Sequence, residues 1–174
     1  GHKFISHTDT EVVLHLYEDK KEKCLDCLNG IFAFAIYDIK NKELFLARDR
    51  IGVKPLYYYW DSKCGTYDVP HPRFIFSSEI KAILEHDIKR EIDPEALNHY
   101  FQLMYVPAPL TMFKGIYKLP QAHYLKVSLE ARNPKFEIHK YWDIQDFQEI
   151  ESEQEIIEKI QNLMKASVKG QLIS

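Results

Sequence analysis

The sequence predicts an α+β fold, antiparallel sheets stacked face to face with helices outside, and three observations lead there. An apolar run of strand length, "LNGIFAFAIYD", is followed by the turn "IKNK" and a second apolar run, "ELFLARD", the pattern of a hairpin. "PLYYYW" and "RFIFSS" make a second pair, joined by a polar loop with Cys64, Gly65, Pro70 and Pro72. Helical spacing appears outside these runs, before the first and after the last.

The elements follow in order. Residues 8 to about 23 read as a helix, with Thr8 and Glu11 spaced as a capping box and Val12, Val13, Leu16 and Tyr17 on one face. "LNGIFAFAIYD" is apolar throughout, so a strand covered on both faces is expected. Ser78 is placed to cap a short helix through about Leu84. Asp93-Pro94 opens another, the acid suited to the cap and proline to the first helical position, with Ala96, Leu97, Tyr100 and Phe101 along it. "YVPAPLTMF" is extended and stiffened by its prolines. "GIYKLPQAHYLKV" and "EIHKYWDI" read as a final small hairpin. From Glu151 the chain is an amphipathic helix with Ile156, Ile160, Leu163 and Ala166/Ser167 on one side. Composition turns Gln/Glu-rich after Ile144, which puts a domain boundary near 144–150.

With 174 residues and 45% apolar side chains the chain can bury a normal core. A net charge of −3 argues against nucleic-acid binding, and no apolar run approaches the roughly 18 residues of a membrane span. The odd set Cys24, Cys27 and Cys64 fits a reducing cytosol, not a disulfide framework. "CLDC" has the spacing of a redox pair or half a zinc site, but small, partly buried apolar residues are the reading adopted. The eight histidines are scattered, without a metal-binding pair at helical spacing, so no metal is expected. The chain opens on Gly1 and closes on "KGQLIS", and both ends read as cut from a longer polypeptide.

Two places carry possible chemistry. In "HTDTEV" the cap and its box are already supplied, which leaves Asp9 surplus in the first turn. It is either an ordinary first-turn acid or a carboxylate that holds a cation such as an α-ammonium group. "ARDRIGVKPLYYY" sets Arg48, Asp49, Arg50 and Lys54 around Gly52 and Pro55 between two strands. One glycine makes no phosphate loop, so the stretch reads as a structural corner. Arg48 and Asp49, on opposite sheet faces, are expected to pair with ionic groups of neighbouring elements.

The ordered blocks "FISHTDTEVVLHLYED", "LNGIFAFAIYD", "LFLARDRIGVKPLYY", "FSSEIKAIL" and "YVPAPLTMFKGIYKLPQAHYLKV" resemble the class II glutamine amidotransferase domain of glutamine-hydrolysing asparagine synthetases. The resemblance implies an N-terminal-nucleophile αββα sandwich, partial here, with a C-terminal connector helix. It divides the chain into residues 1–146, the later part of that domain, and 147–174, the connector and first helix of a synthetase domain. It also implies hydrolysis of the glutamine side-chain amide by an N-terminal cysteine, with ammonia passed to an ATP-activated aspartate. That cysteine, the carboxylate-binding arginine and the oxyanion segment would all precede Gly1, so no catalytic residue is expected here and the chain alone should be inactive. Asp9 matches the family's aspartate for the substrate α-amino group, and Lys54 and Glu79 are second-tier candidates for ordering the neighbourhood of the glutamine pocket or the interdomain face. ATP and magnesium belong to the synthetase domain, together with aspartate as a substrate. A cytoplasmic enzyme, and self-association of the isolated segment as a homodimer, are the further expectations. Gln121-Ala122 stands where the family usually has Pro-Gly. The alternatives are another amidotransferase, such as a phosphoribosyl-pyrophosphate amidotransferase or an asparagine-synthetase-like modifying enzyme, or a non-catalytic sandwich that binds without reacting.

Overall fold

The computed structural model describes residues 1–61, 73–128, 135–144 and 152–172. The polar loop assigned to Cys64, Gly65, Pro70 and Pro72 lies outside them. Two compact units divide at Asp143 and Ile144.

The first unit is layered helix–sheet–sheet–helix. Strands β1 (Ala33–Asp38), β2 (Glu43–Arg48), β6 (His123–Ser128) and β7 (Phe136–Lys140) form one antiparallel sheet in the order β1-β2-β6-β7. Strands β3 (Tyr57–Asp61), β4 (Arg73–Ser77) and β5 (Ile116–Lys118) form the second, with β3 central. Strand periodicity sorts the side chains between layers. Leu46, Leu125 and Val127 point from the first sheet to Tyr58 of the second and to Leu56 just before it, making the inter-sheet core. The alternate residues Phe45 and Ala47 face outward against Tyr17, Cys24 and Leu25. On the far side Tyr57, Tyr59 and Ile116 pack on Ile83 and Ile88. This is the α+β sandwich that the apolar strands require, since each sheet needs cover on both faces.

Helix α1 spans Asp9–Lys20 and stops earlier than the sequence suggests. Lys21 takes φ 52°, and the chain continues as a 3-10 segment, Lys21–Cys27. The predicted capping box is absent: the Thr8 side chain makes no cap bond. Glu11 reaches past it instead, accepting from the N–H groups of Ile5 (2.7 Å) and Ser6 (2.6 Å) and from the Ser6 hydroxyl. The carboxylate thus fastens the approach to the helix rather than its first residue.

Strand β1 is also a correction. Phe34 and Ile36 pack under α1, but Ala35 and Tyr37 on the other face are exposed. Among the described strands β1 is the edge of its sheet, and only Ala33 of it packs on the inter-sheet core. The short helix α2 is Ile80–Ile83 with Glu79 at its N-cap, and it is Ser77, not Ser78, whose hydroxyl accepts the Glu79 N–H. Helix α3, Pro94–Leu103, begins as read, the Asp93 carboxylate accepting from Glu95 and Ala96 N–H.

The expected final hairpin forms, with "HYLKV" of β6 paired antiparallel to "FEIHK" of β7, but the front of its first arm is a separate strand in the other sheet. "GIYK" is β5, against β3, and "HYLKVS" is β6, held between β2 and β7. The break is the turn through Ala122, whose φ is 57°. The second unit holds helix α4, Glu153–Gln171, opened by a Ser152–Glu155 capping box.

Candidate functional site

The Arg48–Lys54 corner is built from backbone contacts. Asp49, 1% exposed, accepts the N–H groups of Ile51 (3.2 Å), Gly52 (2.6 Å) and Val53 (3.0 Å) on Oδ1, and of Lys54 (3.0 Å) on Oδ2. Burial works to raise its carboxyl, and the four donors, Lys54 first, outweigh it and hold the group below its ordinary range. Arg48 donates to the carbonyls of Lys54 (2.7 Å), Gly52 (2.5 Å) and, across the chain, Leu119 (2.6 Å). The expected ion pairs with neighbouring elements are replaced by this knot of main-chain hydrogen bonds. Polar satisfaction, the other half of that expectation, is what the corner achieves.

Gly52 sits at φ +74°, and an added Cβ would lie 2.9 Å from the Gln121 Cβ. Glycine is needed both for the backbone and for the close approach of the Leu119–Ala122 turn. Asp49 N–H also donates to Phe32 O (2.9 Å) just ahead of β1, and Ala122 N–H to Asp49 O (3.0 Å). The corner is therefore tied to both neighbours, which fixes where Lys54 emerges.

It emerges at a cleft of about 650 Å³ beside the edge of β1. Asp9 and Thr10 of α1, residues 31–37 along β1, Lys54 with Pro55, and Ser78 line it. Asp9 is exposed, and among the described residues its carboxylate has no hydrogen-bond or ion-pair partner. The α1 macrodipole favours a negative charge in that first turn. Lys54 supplies a cation to the same cleft, its backbone held by Arg48 and Asp49 while its ammonium stays unengaged among the described residues. One anion and one cation over an otherwise mainly apolar wall suit a small zwitterion whose side chain runs along β1.

The three residues singled out by sequence are thus separated by the fold. Asp9 and Lys54 meet at the cleft; Glu79 does not line it and pairs with Lys81 at 2.7 Å on the surface. Ser78, which the sequence reading took only as a cap, is the residue of that stretch that reaches the cleft. No spacing rule would have found it, because it is brought in by the end of β4.

The histidines are less scattered in space than in sequence. His2 and His15 stack at 4.2 Å, and with Glu18 they place possible ligand atoms within 4.8 Å of one another. Their ring planes lie 17° from parallel, so the nitrogen lone pairs do not converge on one point. Each ring is already engaged: His2 with Asp19 (2.8 Å) and His15 with Glu18 (2.9 Å). That contact with Glu18 is the main reason the His15 pKa is raised.

A family model described as a glutamine amidotransferase domain matches residues 1–142. This chain belongs to that family. It is 42% identical to asparagine synthetase [glutamine-hydrolyzing] 3 of Bacillus subtilis, over all of this chain and 26% of the relative. It is 39% identical to the putative asparagine synthetase [glutamine-hydrolyzing] 2 of Methanocaldococcus jannaschii, over 93% of this chain and 30% of that protein. Amidase chry2 of Gibberella zeae is 30% identical over 98% of this chain and 24% of its own length. The chain therefore spans about a quarter to a third of the curated relatives it matches. The matched residues end one short of the division between the two compact units. Among the described residues no helix is long and apolar enough to cross a membrane.

Proposed function

We propose that this chain is the later part of the glutaminase domain of a glutamine-hydrolysing asparagine synthetase, and that Asp9 holds the α-ammonium group of glutamine. The carrying observation is the unpartnered Asp9 carboxylate facing a cleft that also receives Lys54, in a chain with 42% identity to such a synthetase. In this reading Lys54 adds positive potential for the substrate carboxylate, and the β1 edge guides the amide-bearing side chain. Fixing a substrate by both charged ends before reaction is worth a large share of a bimolecular barrier. In this proposal Asp9 and Lys54 contribute binding and orientation, not bond breaking.

The relatives' names, which pair glutamine hydrolysis with asparagine synthesis, support a reading in which ammonia passes on to a synthetase domain. ATP, magnesium and aspartate are proposed for the synthetase part of such an enzyme, to which the relatives' names point. Residues 147–174 are the connector and the first helix of that domain, and residues 1–146 the glutaminase part. A cytosolic setting suits the free thiols of Cys24 and Cys27, and a homodimer is the proposed assembly. The match to amidase chry2 supports a second reading, in which a related amidotransferase delivers ammonia to another acceptor.

Asp9→Asn in the full-length protein tests the assignment. Glutamine-dependent asparagine formation should fall about 30- to 100-fold in kcat/KM, as for one lost charged contact of roughly 2–3 kcal/mol, while synthesis from free ammonia persists. Equal loss of both activities, or no loss in either, refutes the ammonium-binding role. Absence of asparagine formation by the wild type, with glutamate still released, would favour the second reading.

A further inference from the structure

The "CLDC" pair plays no part in the cleft. It occupies the 3-10 segment Lys21–Cys27, where residues i and i+3 share a face about 6 Å apart. That separation falls within the roughly 4.4–6.8 Å between Cα atoms that a disulfide spans. The two thiols have opposite surroundings. Cys24 is wholly buried in the cluster with Tyr17, Leu25 and Phe45. Burial, and then the neighbouring Cys27, push its thiol up to about 11. Cys27 is exposed, and the Lys20 ammonium donates to its Sγ at 3.0 Å. Neither is in a disulfide. Solvent access and an adjacent cation mark one sulfur as the nucleophile, and the other waits on the same turn.

We propose that Cys24 and Cys27 form a reversible dithiol–disulfide pair, with Cys27 attacking a small-molecule disulfide and Cys24 resolving the product. In the first step the Cys27 thiolate attacks one sulfur of the small disulfide. Its S–S bond breaks, a mixed disulfide forms on Cys27, and the departing thiolate takes up a proton. In the second step Cys24 gives its proton to solvent and attacks the Cys27 sulfur, expelling the second small thiolate. Two protein thiols lose two electrons between them, and one small disulfide is reduced to two thiols. Lys20 acts as a positioning residue, its ammonium held against the Cys27 sulfur. The closed bridge would clamp the turn that carries Leu25 into the core beneath α1.

The test uses the full-length protein, equilibrated with glutathione and its disulfide at graded ratios, trapped in acid and digested for mass spectrometry. The expected result is a Cys24–Cys27 bridged peptide that disappears on adding dithiothreitol. Cys24→Ala should accumulate glutathione on Cys27 in its place. Lys20→Met should slow iodoacetamide labelling of Cys27 by about threefold or more, and Lys20→Arg should restore it. Absence of the bridged peptide at every ratio, a bridge from Cys27 to Cys64 instead, or unchanged labelling in Lys20→Met each overturns the proposal. The wild-type peptide readout needs no variant to fold.

Discussion

Arg48 and Asp49, adjacent in sequence, secure the same loop by opposite halves of its backbone. Asp49 takes the N–H groups of residues 51–54, and Arg48 takes the carbonyls of Gly52 and Lys54. Asp49→Ala should therefore destabilise the domain by about 2–4 kcal/mol, the usual range for losing a buried, charged hydrogen-bond acceptor. Urea unfolding of the full-length protein, followed by fluorescence of this domain, would show it. A loss below about 0.5 kcal/mol would mean that the loop is held by other contacts.

The Glu11 carboxylate should make the start of α1 acid-sensitive. The Ser6 hydroxyl first, then the Ile5 and Ser6 N–H groups, lower its pKa to about 2. A carboxyl lowered in the folded state stabilises fully above its ordinary value of about 4.3, and that contribution is lost as pH falls through the folded value. Between about pH 4.3 and about 2 the wild type should lose the anchoring of residues 5 and 6, read by amide shifts. Glu11→Gln should show the loosened state already at neutral pH, with no further change over that window. A wild-type carboxyl titrating at its ordinary value would contradict the geometry.

Ala122→Gly should stabilise the protein. Ala122 holds φ 57°, a conformation that a Cβ disfavours by roughly 1–2 kcal/mol, whereas glycine costs more entropy in the unfolded chain and forgoes a buried methyl. The balance predicts a gain of about 0.5 kcal/mol, visible as a higher denaturation midpoint. A lower midpoint would show that methyl packing outweighs backbone strain.

Lys54 and Glu79 should separate in kinetics. Lys54→Met removes the cation in the cleft, and KM for glutamine should rise about tenfold, equivalent to roughly 1.4 kcal/mol. Glu79→Gln removes only an exposed pair with Lys81, and glutamine kinetics should stay within about twofold. A larger effect from Glu79 would return it to the site.

The parts of the fold that sequence shows are those fixed by local chemistry. The β1–β2 pair around its short turn, and Asp93-Pro94 before α3, declare themselves because neighbouring residues create the signal. The division of "GIYKLPQAHYLKV" between two sheets does not, because it depends on a turn in which alanine takes a conformation usually left to glycine. Glu11 was legible as a capping residue, but its true partners lie upstream of the cap. Asp9 and Lys54 could each be named from the chain. Their meeting at one cleft could not, since α1 and the corner after β2 approach only once the sheet has formed. Ser78 carries only the signal of a helix cap, which says nothing of the cleft.

The Arg48–Asp49 knot fills the backbone hydrogen bonds of a stretch without regular secondary structure, as pairing does for a strand. Amides of residues 51–54 should exchange with deuterium as slowly as those inside β2, although they belong to a connection. A cation mounted on so stiff a base needs little ordering when a ligand arrives, so more of the contact energy is retained as affinity.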